Sequence, residues 1–272
     1  MEMMSRLDWH PALADPSGRR APKPRQTGMT MVIDKGLGLH AFEDLLQTAG
    51  EHIDIVKLGF GTSPLYPQHV LERKIAMAKE RRVAIMPGGT FLEVAVCQRR
   101  VDEYFDMLGY MGFNSVEVSD GTIEMDRKLR DKLILKAVRC GFEVTTEYGK
   151  KVFGSSIEAE NLVETMHRDL SLGASHVTVE GRESGIGVGI FDANGHCIED
   201  RFLKIVRSLP DVHRIMWEAP QKSQQAYLLN MLGPEINLGN IAPEEVIALE
   251  ALRRGLRSDT MYLGIETTDY CI

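Results

Sequence analysis

A short apolar run followed by a longer amphipathic stretch recurs along this chain, and that alternation constrains the fold more than any other feature. The runs are Thr30–Lys35, Ile53–Gly59, Val83–Pro87, Ser115–Asp120, Glu143–Tyr148, His176–Glu180, His213–Glu218 and Ile236–Asn240. Between them lie stretches of helical spacing, among them Gln68–Arg82, Glu93–Leu108, Asp126–Cys140, Ile157–Leu172, Gln221–Met231 and Pro243–Arg254. In Glu244–Leu256 the spacing is explicit, with Val246, Ile247, Leu249, Leu252 and Leu256 on a three-to-four step after Pro243. Gly173 directly follows Ile157–Leu172, where a left-handed helix cap is common. Parallel strands need long crossovers, and the helices supply them. Eight units spread over about 230 residues fit a closed (βα)8 TIM barrel better than an open doubly wound sheet. No low-complexity linker divides the chain. Residues 1–25 read as a loosely held N-terminal arm, 26–267 as the barrel and 268–272 as a C-terminal tail.

Composition narrows the function mainly by exclusion. Hydrophobic residues make up 43% and charged residues 26%, ordinary for a soluble globular protein. A net charge of -7 argues against a nucleic-acid partner, although a few cations in a cleft can still attract a small anion. Residues 1–25 lack the apolar segment of a secretory signal, and nothing approaches the roughly 20 apolar residues of a membrane span. Cys97, Cys140, Cys197 and Cys271 are scattered, as in a reduced cytoplasmic protein. The histidines show no HExxH spacing and no GxSxG elbow occurs, so neither a zinc hydrolase nor a serine hydrolase has support. Met77, Met107, Met166 and Met231 fall in helical stretches and are expected to fill the core.

The position of polar residues within the strands points to a site. Successive strand side chains face opposite sides, so Glu117 shares a face with Ser119, Thr145 with Glu147, Thr178 with Glu180, and Met216 with Glu218. By the same count Val32 pairs with Asp34 and Ile55 with Lys57. A carboxylate buried against the helices without a partner would be costly, so these groups are expected to point into the barrel near its C-terminal mouth. Any one of them could equally be half of a structural ion pair. Together they describe a rim where carboxylates suit a hard cation such as Mg²⁺ and interleaved lysine and arginine suit a polyanion. Glycine-rich turns follow the strands at Gly59–Ser63, Pro87–Thr90 and Gly185–Gly189, where backbone N–H groups can approach phosphate or sulfonate oxygens. The last of these follows the sixth strand with no helix opening on it, unlike a dinucleotide-binding fingerprint.

Nine segments in order give the chain a strong resemblance to the phosphosulfolactate synthase family, from about Gly28 to about Thr260. They are Gly28-MTMVIDKGLGL, Asp54-IVKLGFGTS, Pro87-GGTFLE, Val116-EVSDGTIE, Glu147-YGKK, Val179-EGRESGIGVGIFD, Trp217-EAPQKSQQ, Asn237-LGNI and Leu249-EALRRGLRSDT. Tyr148 departs from the small aliphatic residue expected there and is anticipated to alter pocket width. The resemblance implies a carbon–sulfur lyase, in which Mg²⁺ assists Michael-type addition of sulfite to phosphoenolpyruvate to give (2R)-phospho-3-sulfolactate, an intermediate on one route to coenzyme M. It also suggests a homo-oligomer. The catalytic candidates are Lys151, Lys150 and Lys35; the resemblance favours Lys151 as proton donor, whereas spacing alone does not separate it from Lys150. Lys57, Arg182, Ser184, Gly88, Gly89 and Asn240 are the substrate-binding candidates, with Glu147, Glu180 and Glu218 around the metal. Glu117 and Asp120 are read as residues that orient lysines. Two alternatives stand beside this: a related enol phosphate or nucleophile in the same barrel, or a non-catalytic stress-associated relative.

Overall fold

The computed structural model describes residues 9–264. Eight parallel strands lie in the order β3-β2-β1-β8-β7-β6-β5-β4. They are β1 (Thr30–Asp34), β2 (Ile55–Leu58), β3 (Ala84–Pro87), β4 (Ser115–Val118), β5 (Glu143–Tyr148), β6 (His176–Val179), β7 (Ile215–Glu218) and β8 (Asn237–Ile241). Their neighbouring pairs are all in parallel register. The remaining seam, between β3 and β4, is bridged by the Asn114 side chain, which accepts from the Ile85 N–H at 2.8 Å. The result is a nearly closed (βα)8 barrel.

The helices are α1 (Pro11–Ala14), α2 (Leu39–Ala49), α3 (Gln68–Glu80), α4 (Gly89–Cys97), α5 (Val101–Met111), α6 (Arg127–Arg139), α7 (Ala159–Ser171), α8 (Glu199–Ser208), α9 (Lys222–Leu232) and α10 (Val246–Arg253). Local chemistry explains several boundaries. The Asp126 side chain accepts from Leu129 N–H at 2.7 Å at the start of α6, and Gln221 with Gln224 forms a capping box on α9. Gly173, with φ of +106°, takes the left-handed position expected after α7. The single helix anticipated over Glu93–Leu108 is in fact two, parted where Arg99 adopts φ of +56°. The polar run Gln98–Arg99–Arg100 spans that break, between two apolar helices.

Two layers make up the core. The larger lies between strands and helices and includes Val32, Val56, Val116, Val118, Val177 and Trp217. A smaller one inside the barrel is built from Met29, Met31, Ile55, Met86 and Met216. The methionines close on Gly239, where a Cβ would stand 2.6 Å from Met31 Cε and 3.2 Å from Met216 Cγ and would make them shift. Flexible methionines thus fill the barrel interior. Met77 and Met166 are core residues as expected, but Met107 is 56% and Met231 41% exposed, on the outer sides of their helices. The segment preceding β1 is held more firmly than its composition suggested. Arg20 pairs with Glu250 at 2.8 Å, Arg25 with Asp54 at 3.2 Å, and Lys23 donates to the Gly50 carbonyl at 2.9 Å. The tail, 268–272, lies outside the described residues. Among the described residues no helix is long and apolar enough to cross a membrane.

Candidate active site

Strand alternation carries one charged residue to the last inward position on each of several strands, just above the methionine layer. Parallel register sets Glu117 beside Thr145, Glu147 beside Thr178, and Glu218 beside Gly239. Lys57 from β2 projects into the same layer, where its Nζ is 2.7 Å from Glu218, 3.3 Å from Glu117 and 3.9 Å from Glu147. Above it, Lys151 Nζ lies 2.8 Å from Glu147 and 3.8 Å from Glu180. A cavity of about 330 Å³ opens over this layer, lined also by Ile33, Phe60, Gly88, Gly89, Thr90, Thr122, Arg182, Glu183 and Asn240.

Short hydrogen bonds fix the carboxylates. Gly89 N–H donates to Glu117 at 2.8 Å and Gly181 N–H to Glu218 at 2.9 Å. Arg182 N–H donates to one oxygen of Glu180 at 2.7 Å, and the other oxygen is buried with no hydrogen-bond partner. The side-chain oxygen of Asn240 is likewise buried and unpartnered. A Cβ at Gly88 would stand 2.8 Å from the Phe60 carbonyl oxygen, and one at Gly89 2.5 Å from Ser119 Cβ, so only glycine lets these strand ends approach. Phe60, Arg182 and Asn240 all line the cavity in left-handed backbone conformations, with φ of 58°, 57° and 55°. Such strain concentrates at functional sites.

Electrostatics divide Glu117, Glu147 and Glu180. Burial, then Glu147 and Glu218, push Glu117 up to about 7 against the pull of Lys57. Burial and the Glu147 and Glu218 charges raise Glu180 further, to about 11, despite Lys151. Burial also opposes ionisation of Glu147, but Lys151 and Lys57 outweigh it and hold the group at about 2. Lys57 and Lys151 are themselves desolvated by burial, yet the surrounding carboxylates win and keep both well above the ordinary lysine value. Both ammonium groups are therefore charged at neutral pH.

Several residues singled out from the sequence sit elsewhere. Asp34 faces the helices, not the interior, because Lys74 of α3 is there to neutralise it, itself held between the rings of Phe42 and Tyr66. The cost that should have turned Asp34 inward is removed by this ion pair. Lys35, the next residue, is exposed and does not line the cavity. Lys150 points away, donating to the carbonyls of Asp120 and Ile123 at 2.8 and 2.9 Å, so of the adjacent lysines only Lys151 enters. Ser184 lies outside the cavity lining, its carbonyl accepting from Gln221 at 2.7 Å. Tyr148 packs on the helix-facing core and does not narrow the pocket. Asp120 accepts from Arg130 at 2.9 Å, and Lys150 stands 4.0 Å off. By contrast Arg182 reaches the cavity, and among the described residues no carboxylate pairs with it.

The oxygens that can converge on one ion belong to Glu117, Glu147 and Glu218, all within 4.8 Å of one another. Glu180, expected in that set, stands beside them with Lys151 interposed on Glu147, and Glu117 takes its place. Carboxylate oxygens are the donors a hard divalent cation prefers, and the unpartnered oxygens of Glu180 and Asn240 offer more of the same chemistry. These residues fit Mg²⁺. Glu117 was recognisable as inward-facing from its alternation with Ser119. Its membership of the set depends on the register of β4 against β5.

Comparison with known proteins follows the same line. Residues 18–259 match the family described as (2R)-phospho-3-sulfolactate synthase (ComA). A phosphosulfolactate synthase of Methanothermobacter thermautotrophicus is 43% identical over 244 residues, covering 89% of this chain and 94% of the relative. One from Bacillus subtilis is 38% identical over 246 residues, covering 90% of this chain and 96% of the relative. In fold the chain is similar to the crystal structure of the YdjI aldolase from Escherichia coli, with a TM-score of 0.54 at 14% identity over 88% of this chain and 84% of that one.

Proposed function

Because the chain belongs to the (2R)-phospho-3-sulfolactate synthase family, we propose that it is a carbon–sulfur lyase adding sulfite to phosphoenolpyruvate with the help of Mg²⁺. The observation that carries this reading is the single cavity in which Lys151 and Arg182 face the Glu117–Glu147–Glu218 cluster. The product bears phosphate, sulfonate and carboxylate groups, so a site for it needs clustered cations against a water-poor floor. Arg182 can clamp one anionic group in a bidentate manner. Ile33 and Phe60 supply apolar wall against the methylene carbon.

In the addition, sulfur bonds to C3, the C2–C3 π pair moves to C2, and C2 then takes a proton. Glu117, Glu147 and Glu218 would hold Mg²⁺, which supplies positive charge where negative charge builds on the substrate carboxylate. Lys151 is the proton donor in this reading: its ammonium is charged at neutral pH and Glu147 holds it in place at 2.8 Å. A carbon carrying the displaced pair is far more basic than an amine, so the high lysine pKa does not impede transfer. Lys57 lies deeper, and its role is to offset the carboxylates when no other cation is bound.

Anaerobic incubation with sulfite, phosphoenolpyruvate and Mg²⁺ tests the proposal. An acid-stable organophosphate with the mass of the sulfonate adduct is expected; no product across a range of pH and divalent metals would remove the assignment. Assembly as a homo-oligomer belongs to the same proposal, and light scattering showing a monomer at assay concentration would remove that part.

A further inference from the structure

Lys151 is held by more than Glu147. Its backbone N–H donates to the Gly121 carbonyl at 3.0 Å, and its aliphatic stem lies flat on Gly121. A Cβ at Gly121 would stand 3.0 to 3.1 Å from Lys151 Cγ, Cδ and Cε, so the stem rests where a side chain would otherwise be. Ser119 Oγ is 3.4 Å from Lys151 Nζ and 2.9 Å from Glu147 Oε1. The turn Ser119–Thr122 after β4 is therefore the bed on which the lysine lies.

That bed is pinned from behind by one residue. Glu93, on the second turn of α4, is only 1% exposed. One of its oxygens is 2.6 Å from Ser119 Oγ, and the other accepts from the Thr122 N–H at 3.1 Å. Both oxygens are thus committed to the same turn. Among the described residues no lysine, arginine or histidine stands within ion-pair distance of Glu93. A buried carboxylic group without a cationic partner is costly, and here it is matched only by a hydroxyl and an amide. Core stability gains little from such an arrangement; what it achieves is the position of Ser119 and Gly121, and through them of Lys151. The same helix also brings Thr90 Oγ1 to 3.4 Å from Lys151 Nζ.

We propose that Glu93 is a positioning residue that, through Ser119 and Gly121, seats Lys151 over the cavity. The inference rests on the reading of Lys151 as proton donor. Two full-length variants test it, Glu93→Gln and Gly121→Ala, each followed by kcat, KM for phosphoenolpyruvate, melting temperature, and the rate at which Lys151 is modified by trinitrobenzenesulfonate, read by peptide mass. A lysine displaced from its seat should lose kcat by about 10- to 100-fold while KM stays within about threefold. Release from its partners should also quicken its modification several-fold. Unchanged kcat and unchanged modification rate in Glu93→Gln, or a raised KM with kcat preserved, would overturn the proposal. Should Glu93→Gln fail to fold, Glu93→Asp, whose shorter side chain draws the carboxyl back from Ser119 and Thr122, is read in its place, and Gly121→Ala, whose added methyl meets the Lys151 stem first, gives the effect of displacing the lysine alone. If the wild-type protein shows no turnover, the proton-donor reading fails, and the modification rates still report whether Glu93 seats the lysine.

Discussion

The two ends of the barrel both bury charge, but they balance it differently. At the bottom, cations outnumber carboxylates, and each carboxylate there is paired. Glu250 accepts from Arg20 at 2.8 Å and from Arg254 at 2.7 Å, Asp54 pairs with Arg25, and fully buried Arg253 donates to the carbonyls of Pro234, Ile236 and Met29. At the mouth, Glu117, Glu147, Glu180 and Glu218 surround only Lys57 and Lys151, and one oxygen of Glu180 accepts no hydrogen bond, with Lys151 Nζ 3.8 Å away. Paired carboxylates of the first kind hold a fold together, whereas an excess of buried carboxylates of the second kind trades stability for readiness to bind a further cation. One scaffold thus uses the same chemistry for anchoring at one end and for recognition at the other.

Mutations that separate activity from stability should expose this difference. The largest effect is expected for Lys151→Ala, which should lower turnover by about 10²- to 10⁴-fold, the usual contribution of a positioned acid, while leaving the melting temperature nearly unchanged. A fall in melting temperature of many degrees would move Lys151 into the anchoring class. At the bottom the pattern should reverse. Arg253→Ala removes a donor from three carbonyls, of which Met29 alone keeps the Leu238 N–H among the backbone bonds outside helices and strands, and should cost about 3–5 kcal/mol in urea denaturation, with kcat per folded molecule preserved. Stability within error of the wild type would show that this arginine anchors nothing.

Acid should act selectively on the bottom network. Burial works against the Glu250 charge, but Arg20 and then Arg254 prevail and hold the group at about 2, below its usual 4.5. A group with a depressed folded value contributes its full stability above pH 4.5 and loses it progressively as pH falls toward 2. The contribution should amount to about 2–3 kcal/mol. Glu250→Gln should be less stable at neutral pH and should flatten that acid limb; an unchanged acid limb would exclude Glu250 as its source. The smallest effect, and one of opposite sign, is expected for Glu180→Gln. Glu180, held at about 11, is already uncharged at neutral pH, so its replacement by the neutral amide of the same shape should leave stability unchanged or raise it by about 0.5–2 kcal/mol. Calorimetry showing clear destabilisation would mean that the mouth is as fully paired as the bottom.

Much of this organisation is visible in the chain itself. The alternation of Glu117 with Ser119, Thr145 with Glu147 and Thr178 with Glu180 places each carboxylate on the inner face before any coordinates are known. The same reasoning misplaces Asp34, because its partner Lys74 is 40 residues away on a helix and nothing local announces it. It leaves Lys150 and Lys151 equivalent, since the chain leaves β5 at Tyr148 and the period of two no longer applies. Glu93 goes unnoticed for a similar reason: on an apolar helix it reads as an isolated polar residue.

The repeating architecture, the inward face of most strands and the family resemblance rest on periodicities and motifs within a few residues and can be read along the chain. Which charges meet is set by the folded arrangement. It seats Lys57 among Glu117, Glu147 and Glu218, sends Asp34 out to Lys74, and lays Lys151 on the turn that Glu93 braces. The reason is physical: side-chain direction along a strand follows from local backbone geometry, whereas ion pairing depends on strand register and loop closure between distant segments, and the energies involved fall off within a few ångströms.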